Sequence, residues 1–263
     1  MLTAALLGLL QGVFEWLPVS SQGAVTLAGA YLLGREPDEA LALALWLHLG
    51  TGLAAAVAFR ADVAQLAAEA LPGGPPRSQR LRFLVVATLV SAAVALPLLL
   101  ALGDALPNAG GGAVVSLAIG ALMMASGALQ LRRPAGGIRM EGEAGLADAV
   151  LVGLAQGAAA LPGLSRSGLT LAALLTRRME RQAALRLSFL MSIPASVGAA
   201  LFAGLDSGLL MSGEGAVGAV VAAIVGFASI RALLALAGRV NFGWFVVLVG
   251  AGLAAGGAWQ LLG

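Results

Sequence analysis

Long apolar segments constrain this chain more than any other feature of its sequence. A bilayer crossing takes roughly 20 apolar residues. Stretches of about this length lie near 39–60, 83–102, 113–131, 187–204, 216–236 and 242–262. Hydrophobic residues make up 60% of the chain and charged residues only 11%, whereas a soluble domain is usually about half apolar and a quarter charged. The sequence therefore predicts an all-α, polytopic integral membrane protein with six transmembrane helices.

Arginines in alternate loops predict the orientation of these helices. The segments 60–82, 132–143 and 177–186 are rich in arginine, whereas the connections at 103–112 and 205–215 contain acidic residues and no basic one. Because short cytoplasmic loops are enriched in Lys and Arg, we expect the arginine loops to be cytoplasmic and both termini to lie outside. The net charge is only +2, so the basic residues indicate topology control, and no nucleic-acid partner is expected.

The chain contains no cysteine, which excludes disulfides, thiolate metal sites and cysteine nucleophiles. Met1 leads directly into an apolar stretch without a preceding basic region. We therefore expect no cleavable signal peptide.

Two further apolar segments do not fit a simple crossing. Since 132–143 and 177–186 are both expected on the cytoplasmic side, the segment at about 146–175 must enter and leave the membrane on the same side. Its middle carries Pro162-Gly163, a pair that favours a turn. The segment 2–33 is similar and is broken at Pro18 and Ser20-Ser21-Gln22-Gly23. We predict two re-entrant helical hairpins, at 2–33 and 146–175.

The two hairpins also resemble each other in sequence. G8-L-L-Q-G-V-F-E-W-L-P-V-S-S-Q-G23 aligns with G153-L-A-Q-G-A-A-A-L-P-G-L-S-R-S-G168. Each is followed by three spans, and the halves start on opposite sides of the membrane. This predicts a single domain, 1–263, built as an inverted-topology repeat of about 1–131 and 146–263, in which broken helices meet near the midplane. A coincidence between two Gly/Ala-rich segments is the alternative.

Ionisable residues inside the apolar segments are few, and such residues are costly and usually functional. They are Glu15, His48 and Arg166, with Asp148 near a segment edge. If the hairpins meet, Glu15 and Arg166 supply a carboxylate and a guanidinium to one site. A structural ion pair is the alternative for these two residues, and a hydrogen-bonded packing role is the alternative for His48.

The tip of the second hairpin suits a phosphate ligand. Ser165-Arg166-Ser167-Gly168, followed by Thr170 as a new helix begins, offers backbone N–H groups, hydroxyls and a bidentate guanidinium. Ser20 and Ser21 provide a second hydroxyl cluster and a candidate nucleophile, which needs an activating neighbour. Taken singly, these Ser and Gly residues are also typical of close helix packing in membranes.

Glu15 is suited to act as a base, to orient a hydroxyl or to hold a divalent cation that bridges to phosphate. Gln11 lies one turn earlier on the same helix face and is a second candidate metal ligand. Hydrogen bonding within the core is the alternative for Gln11.

These motifs resemble those of the undecaprenyl-diphosphatase family, the bacitracin-resistance membrane phosphatases that recycle the lipid carrier of peptidoglycan synthesis. The family motif E/Q-G-x-x-E-F/W-L-P-x-S-S-x-G-H is similar to Q11-G-V-F-E15-W-L-P18-V-S20-S21-Q-G23-A24. The family motif P-G-x-S-R-S-G-x-T is matched throughout by P162-G-L-S165-R166-S167-G168-L-T170. R186-L-S-F-L-M-S-I-P194, and L49-G50-T51 with F59-R60, resemble further family segments, so the resemblance covers most of the chain.

The resemblance implies six spans and two re-entrant hairpins in an inverted repeat. It also implies metal-assisted hydrolysis of a polyprenyl diphosphate at a site that faces the outer side of the plasma membrane. By position, Glu15 matches the key acid, and Gln11 matches the other E/Q position; both are candidate ligands for Mg²⁺ or Ca²⁺. Ser21 is the expected nucleophile. The catalytic set is Glu15, Ser20, Ser21, His48 and Arg166. The diphosphate-binding set is Gly163, Ser165, Arg166, Ser167, Gly168 and Thr170.

One position departs from the family motif, because Ala24 stands where the family has a histidine. The family role of that histidine is to activate the nucleophile or to handle its proton. Three readings remain open: Glu15 acts alone as the base; His48 reaches the site from the next helix; or hydrolysis is lost and the protein binds or transports a polyprenyl phosphate. Membrane lipids are expected partners in each case, and a homodimer is left open.

Overall fold

The computed structural model describes residues 1–105, 112–132 and 137–262. Its numbered helices are α1 (Leu2–Phe14), α2 (Ser21–Leu27), α3 (Pro37–Ala58), α4 (Arg60–Ala70), α5 (Gln79–Ala105), α6 (Gly112–Leu131), α7 (Leu146–Ala158), α8 (Arg166–Thr176), α9 (Arg181–Ser207), α10 (Gly213–Arg239) and α11 (Gly243–Leu262). A π-helical turn continues α2, and two short 3₁₀ turns precede α7 and α10. No strand occurs within these ranges, so the prediction of an all-α protein is confirmed.

Each of the six predicted spans coincides with a long helix. Among the described residues, four helical stretches are long and apolar enough to cross a membrane, namely Asp38–Ala58, Gln79–Leu102, Arg181–Gly204 and Gly213–Ala232. The helices α1, α6, α7 and α11 contribute shorter apolar stretches. The chain is therefore a helical membrane protein, and the number of six crossings stays a prediction.

The segment 60–82, which the sequence reading treated as a loop, contains the helix α4. Asp62 on this helix pairs with Arg80 of α5 at 2.8 Å and with Arg186 of α9 at 2.5 Å. At its other end, hydrogen bonds from the hydroxyl and backbone N–H of Ser78 lower the pKa of Glu69. Arg80 and Arg186, near the first ends of α5 and α9, therefore hold α4 in place.

Several charged residues that marked the loops have side chains outside the described part of the chain. They are Asp104, Arg133, Asp206 and Arg239. Most of the predicted connection at 103–112 is also outside the described ranges. Asp148 is described, and it binds Arg139 and Arg177 at the start of α7.

Both predicted hairpins occur as helix pairs joined by an irregular turn, α1 with α2 and α7 with α8. The second helix of each pair begins in the same way. The Ser20 hydroxyl oxygen accepts a hydrogen bond from Gly23 N at 3.1 Å, and the Ser165 hydroxyl oxygen accepts one from Gly168 N at 3.1 Å. Such serine N-caps stabilise a helix start by about 1 kcal/mol. Gly163 has a φ of +103°, a conformation that glycine tolerates at little cost.

Glycines pack the first helix of each hairpin against a long helix of the other half. A Cβ placed on Gly12 of α1 would lie 2.8 Å from the Val225 Cβ of α10, and one placed on Gly157 of α7 would lie 2.6 Å from the Val94 Cβ of α5. The nearest backbone oxygens, three residues before each valine, belong to Ala222 and Ser91. The contact of α1 with α10 thus has the same register as that of α7 with α5: in each, the glycine faces a valine and the backbone oxygen of the residue three positions before it. Elsewhere α3 packs on α9 and α10, and α6 packs on α11.

Candidate active site

A buried carboxylate joins the tips of the two hairpins. Glu15 lies in the turn after α1, and its side chain is only 4% exposed. Its Oε2 accepts hydrogen bonds from Gln11 Nε2 at 2.9 Å and from Ser21 Oγ at 2.7 Å. Its Oε1 pairs with Arg166 of the second hairpin, so the two ionisable residues expected to meet are in contact. His48 Nε2 lies 3.4 Å from Oε2.

The guanidinium of Arg166 is held from two further directions. Its Nη1 donates to the backbone oxygen of Ser188 at 3.3 Å, and its Cζ lies 6.0 Å from the ring centroid of Phe189. Phe189 packs against Trp16, with ring centroids 5.8 Å apart. Trp16 in turn donates to the backbone oxygen of Gly226 at 3.1 Å. These contacts fix the first tip, the second tip and α9 relative to one another.

His48 reaches this cluster from the middle of α3. Its Nδ1 lies 2.8 Å from the backbone oxygen of Ala44. Because a carbonyl oxygen only accepts, Nδ1 carries a proton, and Nε2 is the nitrogen that faces Glu15. The structure therefore has the geometry expected if His48 reaches the site from the next helix, which is the second of the three explanations given for Ala24.

The two motif serines have different surroundings. The Ser20 oxygen accepts from Gly23 N and also from Gly163 N at 3.0 Å, so it fastens the first tip to the second. Ser21 instead donates its hydroxyl proton to Glu15. A hydroxyl that donates to a buried carboxylate has the arrangement of an activated nucleophile with its base. The geometry favours Ser21 over Ser20 for this role.

A small polar cavity lies between the hairpin tips. The polar residues that line it are Glu15, Ser20, Ser21, Gln22, His48, Arg166 and Ser167. Its volume is about 30 Å³, which exceeds the roughly 10–15 Å³ that one water needs. Ser167 is held at this wall by donating to the backbone oxygen of Leu17 at 2.8 Å.

The other predicted site residues lie behind this wall and support it. They are Gln11, Gly163, Ser165, Gly168 and Thr170, none of which is among the lining residues. Thr170 shares a hydrogen bond of 2.6 Å with the hydroxyl of Ser188, and Ser165 caps α8. The Gln11 Oε1 is buried and has no hydrogen-bond partner within the described ranges.

A second, largely apolar cavity of about 290 Å³ adjoins the polar one. It lies between α3, α5 and α9, and alanines and leucines form much of its wall. Gln156 and Ser91, linked at 3.3 Å, are among its few polar residues. Sequence reasoning missed both this cavity and the position of Gln22 on its wall. Gln22 occupies a variable position of the first motif, so the motif itself carried no signal for it.

Comparison with known proteins gives a consistent result over almost the whole chain. The model of the family described as bacitracin resistance protein BacA matches residues 4–253. The undecaprenyl-diphosphatase of Haloarcula marismortui is 41% identical over 261 residues, covering 96% of this chain and 95% of that protein. Its namesake in Methanopyrus kandleri is 40% identical over 252 residues, covering 94% and 93%. The one in Methanococcoides burtonii is 38% identical over 257 residues, covering 94% of each.

Proposed function

The chain belongs to the bacitracin resistance protein BacA family, and we propose from this premise that it hydrolyses undecaprenyl diphosphate to undecaprenyl phosphate and phosphate. The relatives named undecaprenyl-diphosphatase match it over nearly their full length. One structural observation carries the proposal: a polar cavity with a carboxylate, a serine and an arginine shares part of its wall with an apolar cavity in a helical membrane protein. This pair of cavities suits a lipid with a diphosphate head, and the reaction recycles that lipid as a carrier for envelope synthesis.

Substrate binding begins with a competition for Arg166. In the structure this guanidinium pairs with Glu15, and the polar cavity between the hairpin tips has room for little more than a water molecule. A phosphate group is larger and offers bidentate acceptors, which are the preferred partners of arginine. The substrate therefore separates Arg166 from Glu15, and the carboxylate becomes free to act as a base.

The chemical step uses the contact between Ser21 and Glu15. The Ser21 Oγ attacks the terminal phosphorus, and its proton passes to Glu15 Oε2, 2.7 Å away. The bond from this phosphorus to the bridging oxygen breaks, and undecaprenyl phosphate leaves. Water then attacks the phosphoserine and loses its proton to Glu15, while the Ser21 oxygen leaves and regains a proton. Arg166 stabilises the charge on the transferring group throughout.

His48 completes the proton path in this proposal. Its Nε2 lies 3.4 Å from Glu15 Oε2, and its side chain lines both cavities. It therefore stands between the base and the bridging oxygen of the leaving group. A proton taken from Ser21 by Glu15 is passed through Nε2 to that oxygen. Positioned acid–base groups of this kind contribute on the order of 10²–10⁴ in rate.

A divalent cation, Mg²⁺ or Ca²⁺, is also part of the proposal. Glu15 and the unpartnered Gln11 Oε1 provide oxygen atoms of the type these hard cations prefer, and the diphosphate would supply further ligands. Such an ion would neutralise part of the diphosphate charge when bound. In the structure the Gln11 amide nitrogen faces Glu15, so the amide would turn over to bring its Oε1 and the carboxylate to one ion.

We propose six membrane crossings and two re-entrant hairpins, arranged as the inverted repeat of about 1–131 and 146–263. The equal register of α1 on α10 and of α7 on α5, and the paired serine caps, support this arrangement. With arginine-rich loops in the cytoplasm, the termini lie outside and the site is reached from the outer face of the plasma membrane.

Phosphate release by purified protein in detergent tests this function. We expect release from undecaprenyl diphosphate with Mg²⁺, loss of release in Glu15→Gln, and a fall on the order of 10²–10⁴ in His48→Asn. Phosphate release after chelation with EDTA, and again after Mg²⁺ is added back, tests whether the reaction requires a divalent cation. Absence of release by folded wild-type protein above the Glu15→Gln background would reject hydrolysis. Lipid transport without hydrolysis, the other sequence reading, gains no support from the relatives.

A further inference from the structure

The two cavities meet at a small set of residues. Gln22, His48, Ala159 and Arg166 line both the polar cavity and the apolar one. A lipid diphosphate has its polar-to-apolar change at the phosphate nearest the lipid chain. If the polar cavity receives the terminal phosphate and the apolar cavity receives the chain, this inner phosphate must lie at the shared residues. This placement rests on the proposed function.

The polar groups at this junction are not equivalent. Arg166 reaches across to Glu15 and serves the terminal phosphate. His48 has Nδ1 committed to Ala44 and directs Nε2 toward Glu15. Gln22 is uncharged, and its amide donates to the backbone oxygen of Ala160 over 3.4 Å. That distance is beyond the usual range of 2.7–3.2 Å, so the amide gives up little when it turns to another acceptor.

We propose that the Gln22 amide binds the inner phosphate of the substrate, the one retained in the lipid monophosphate product. Its N–H groups donate to a non-bridging oxygen of that phosphate. This contact fixes the substrate so that the terminal phosphorus faces Ser21. A neutral amide also suits a group that remains bound after cleavage, because a second cation here would slow the release of an anionic product.

Separate binding measurements of the two product fragments test this assignment. The probes are farnesyl phosphate, which carries the inner phosphate and a short prenyl chain, and inorganic phosphate. Their affinities are measured for wild-type protein, Gln22→Met, Gln22→Glu and the control Ser167→Ala, by calorimetric titration in detergent. Gln22→Met retains the side-chain length without hydrogen-bonding groups.

We expect Gln22→Met to weaken farnesyl phosphate binding by at least about tenfold, as for the loss of one hydrogen bond to a charged group. Gln22→Glu should weaken farnesyl phosphate binding further, because the new carboxylate repels the phosphate. The affinity for inorganic phosphate should change less than about twofold in both Gln22 variants. Ser167→Ala, which alters the other end of the polar cavity, should weaken inorganic phosphate binding more than farnesyl phosphate binding. KM for farnesyl diphosphate should rise in Gln22→Met in parallel with the farnesyl phosphate dissociation constant.

Equal weakening of both probes in Gln22→Met, or unchanged farnesyl phosphate binding in Gln22→Met, overturns the assignment. Because binding is measured without turnover, this outcome is distinct from failure of the proposed hydrolysis. That failure would appear as wild-type protein that binds farnesyl phosphate and releases no phosphate from undecaprenyl diphosphate.

Discussion

The buried pair of Glu15 and Arg166 predicts unequal costs when either charge is removed. In Glu15→Gln, Arg166 loses its carboxylate partner in the described part of the chain and keeps its contacts with the Ser188 backbone oxygen and the Phe189 ring. In Arg166→Met, Glu15 keeps hydrogen bonds from Gln11 and Ser21, and His48 remains 3.4 Å away. The carboxylate is therefore better compensated without its partner than the guanidinium is.

The magnitudes follow from these remaining contacts. Removing one partner of a buried ion pair typically costs about 3–5 kcal/mol. Hydrogen bonds to a charged group contribute about 1.5–3 kcal/mol, so Arg166→Met should cost about 2–3 kcal/mol and Glu15→Gln about 3–5 kcal/mol. The double variant leaves neither charge unpaired. Its cost should fall below the sum of the single variants by about 3 kcal/mol, at the upper end of what residues in direct contact show. Because this exceeds the cost of Arg166→Met alone, the double variant should be more stable than Glu15→Gln.

Thermal unfolding of the four proteins in one detergent tests this reasoning. A change of 1 kcal/mol shifts the melting temperature of a chain of this size by roughly 2–4 °C. We expect the order wild type, Arg166→Met, Glu15→Gln from high to low, with the double variant melting above Glu15→Gln. If the stability losses of the two single variants add up to that of the double variant within about 0.5 kcal/mol, the pairing is refuted. A lower melting temperature for Arg166→Met than for Glu15→Gln would refute the proposed compensation by Gln11 and Ser21.

Two further predictions separate packing from chemistry. Gly12→Ala and Gly157→Ala should each lower the melting temperature by a similar amount, because the new Cβ would come within 2.8 Å of a valine carbon. Gly252→Ala, with no atom within 4 Å, should be neutral or stabilising by up to about 1 kcal/mol. Equal effects at all three sites would contradict the close packing at Gly12 and Gly157. Ser21→Ala should reduce phosphate release by at least about 100-fold. Ser20→Ala should lower the melting temperature, because the buried N–H groups of Gly23 and Gly163 both lose the Ser20 oxygen as their acceptor. Each buried N–H left unpaired costs about 1–3 kcal/mol of stability. Comparable release by Ser21→Ala and wild type would exclude the proposed nucleophile.

The sequence predicts the helices and the hairpin breaks because local physics decides them. Apolar length determines the spans, and Pro18 and Pro162-Gly163 interrupt two segments that alternating loop charge had already marked as unusual. The contact between Glu15 and Arg166 was also predictable. An ionisable group inside an apolar segment needs a partner, and few were available in this chain.

Other features depend on tertiary contacts that no local pattern records. The helix α4 was hidden because its arginine-rich surroundings resemble a cytoplasmic loop, and its partners Arg80 and Arg186 are distant in sequence. Ser20 and Ser21 are neighbours of identical type, yet Ser20 accepts from the backbone N–H groups of Gly23 and Gly163, whereas Ser21 donates to Glu15. Gln22 lies at a variable motif position, and only the meeting of two cavities gives it a role.

The alanine at position 24 bears on how a proton is handled in this site. A phosphoryl-transfer site needs a proton-carrying group near its base, and the chain position of that group is secondary to its geometry. Here α3 brings the imidazole of His48 to the carboxylate, and the Ala44 carbonyl orients it so that Nε2 faces the site. Ala24 lies in α2, shortly after Ser21, the proposed nucleophile. The departure from the motif therefore changes which helix would carry the imidazole, and the pairing of a carboxylate with an imidazole is retained.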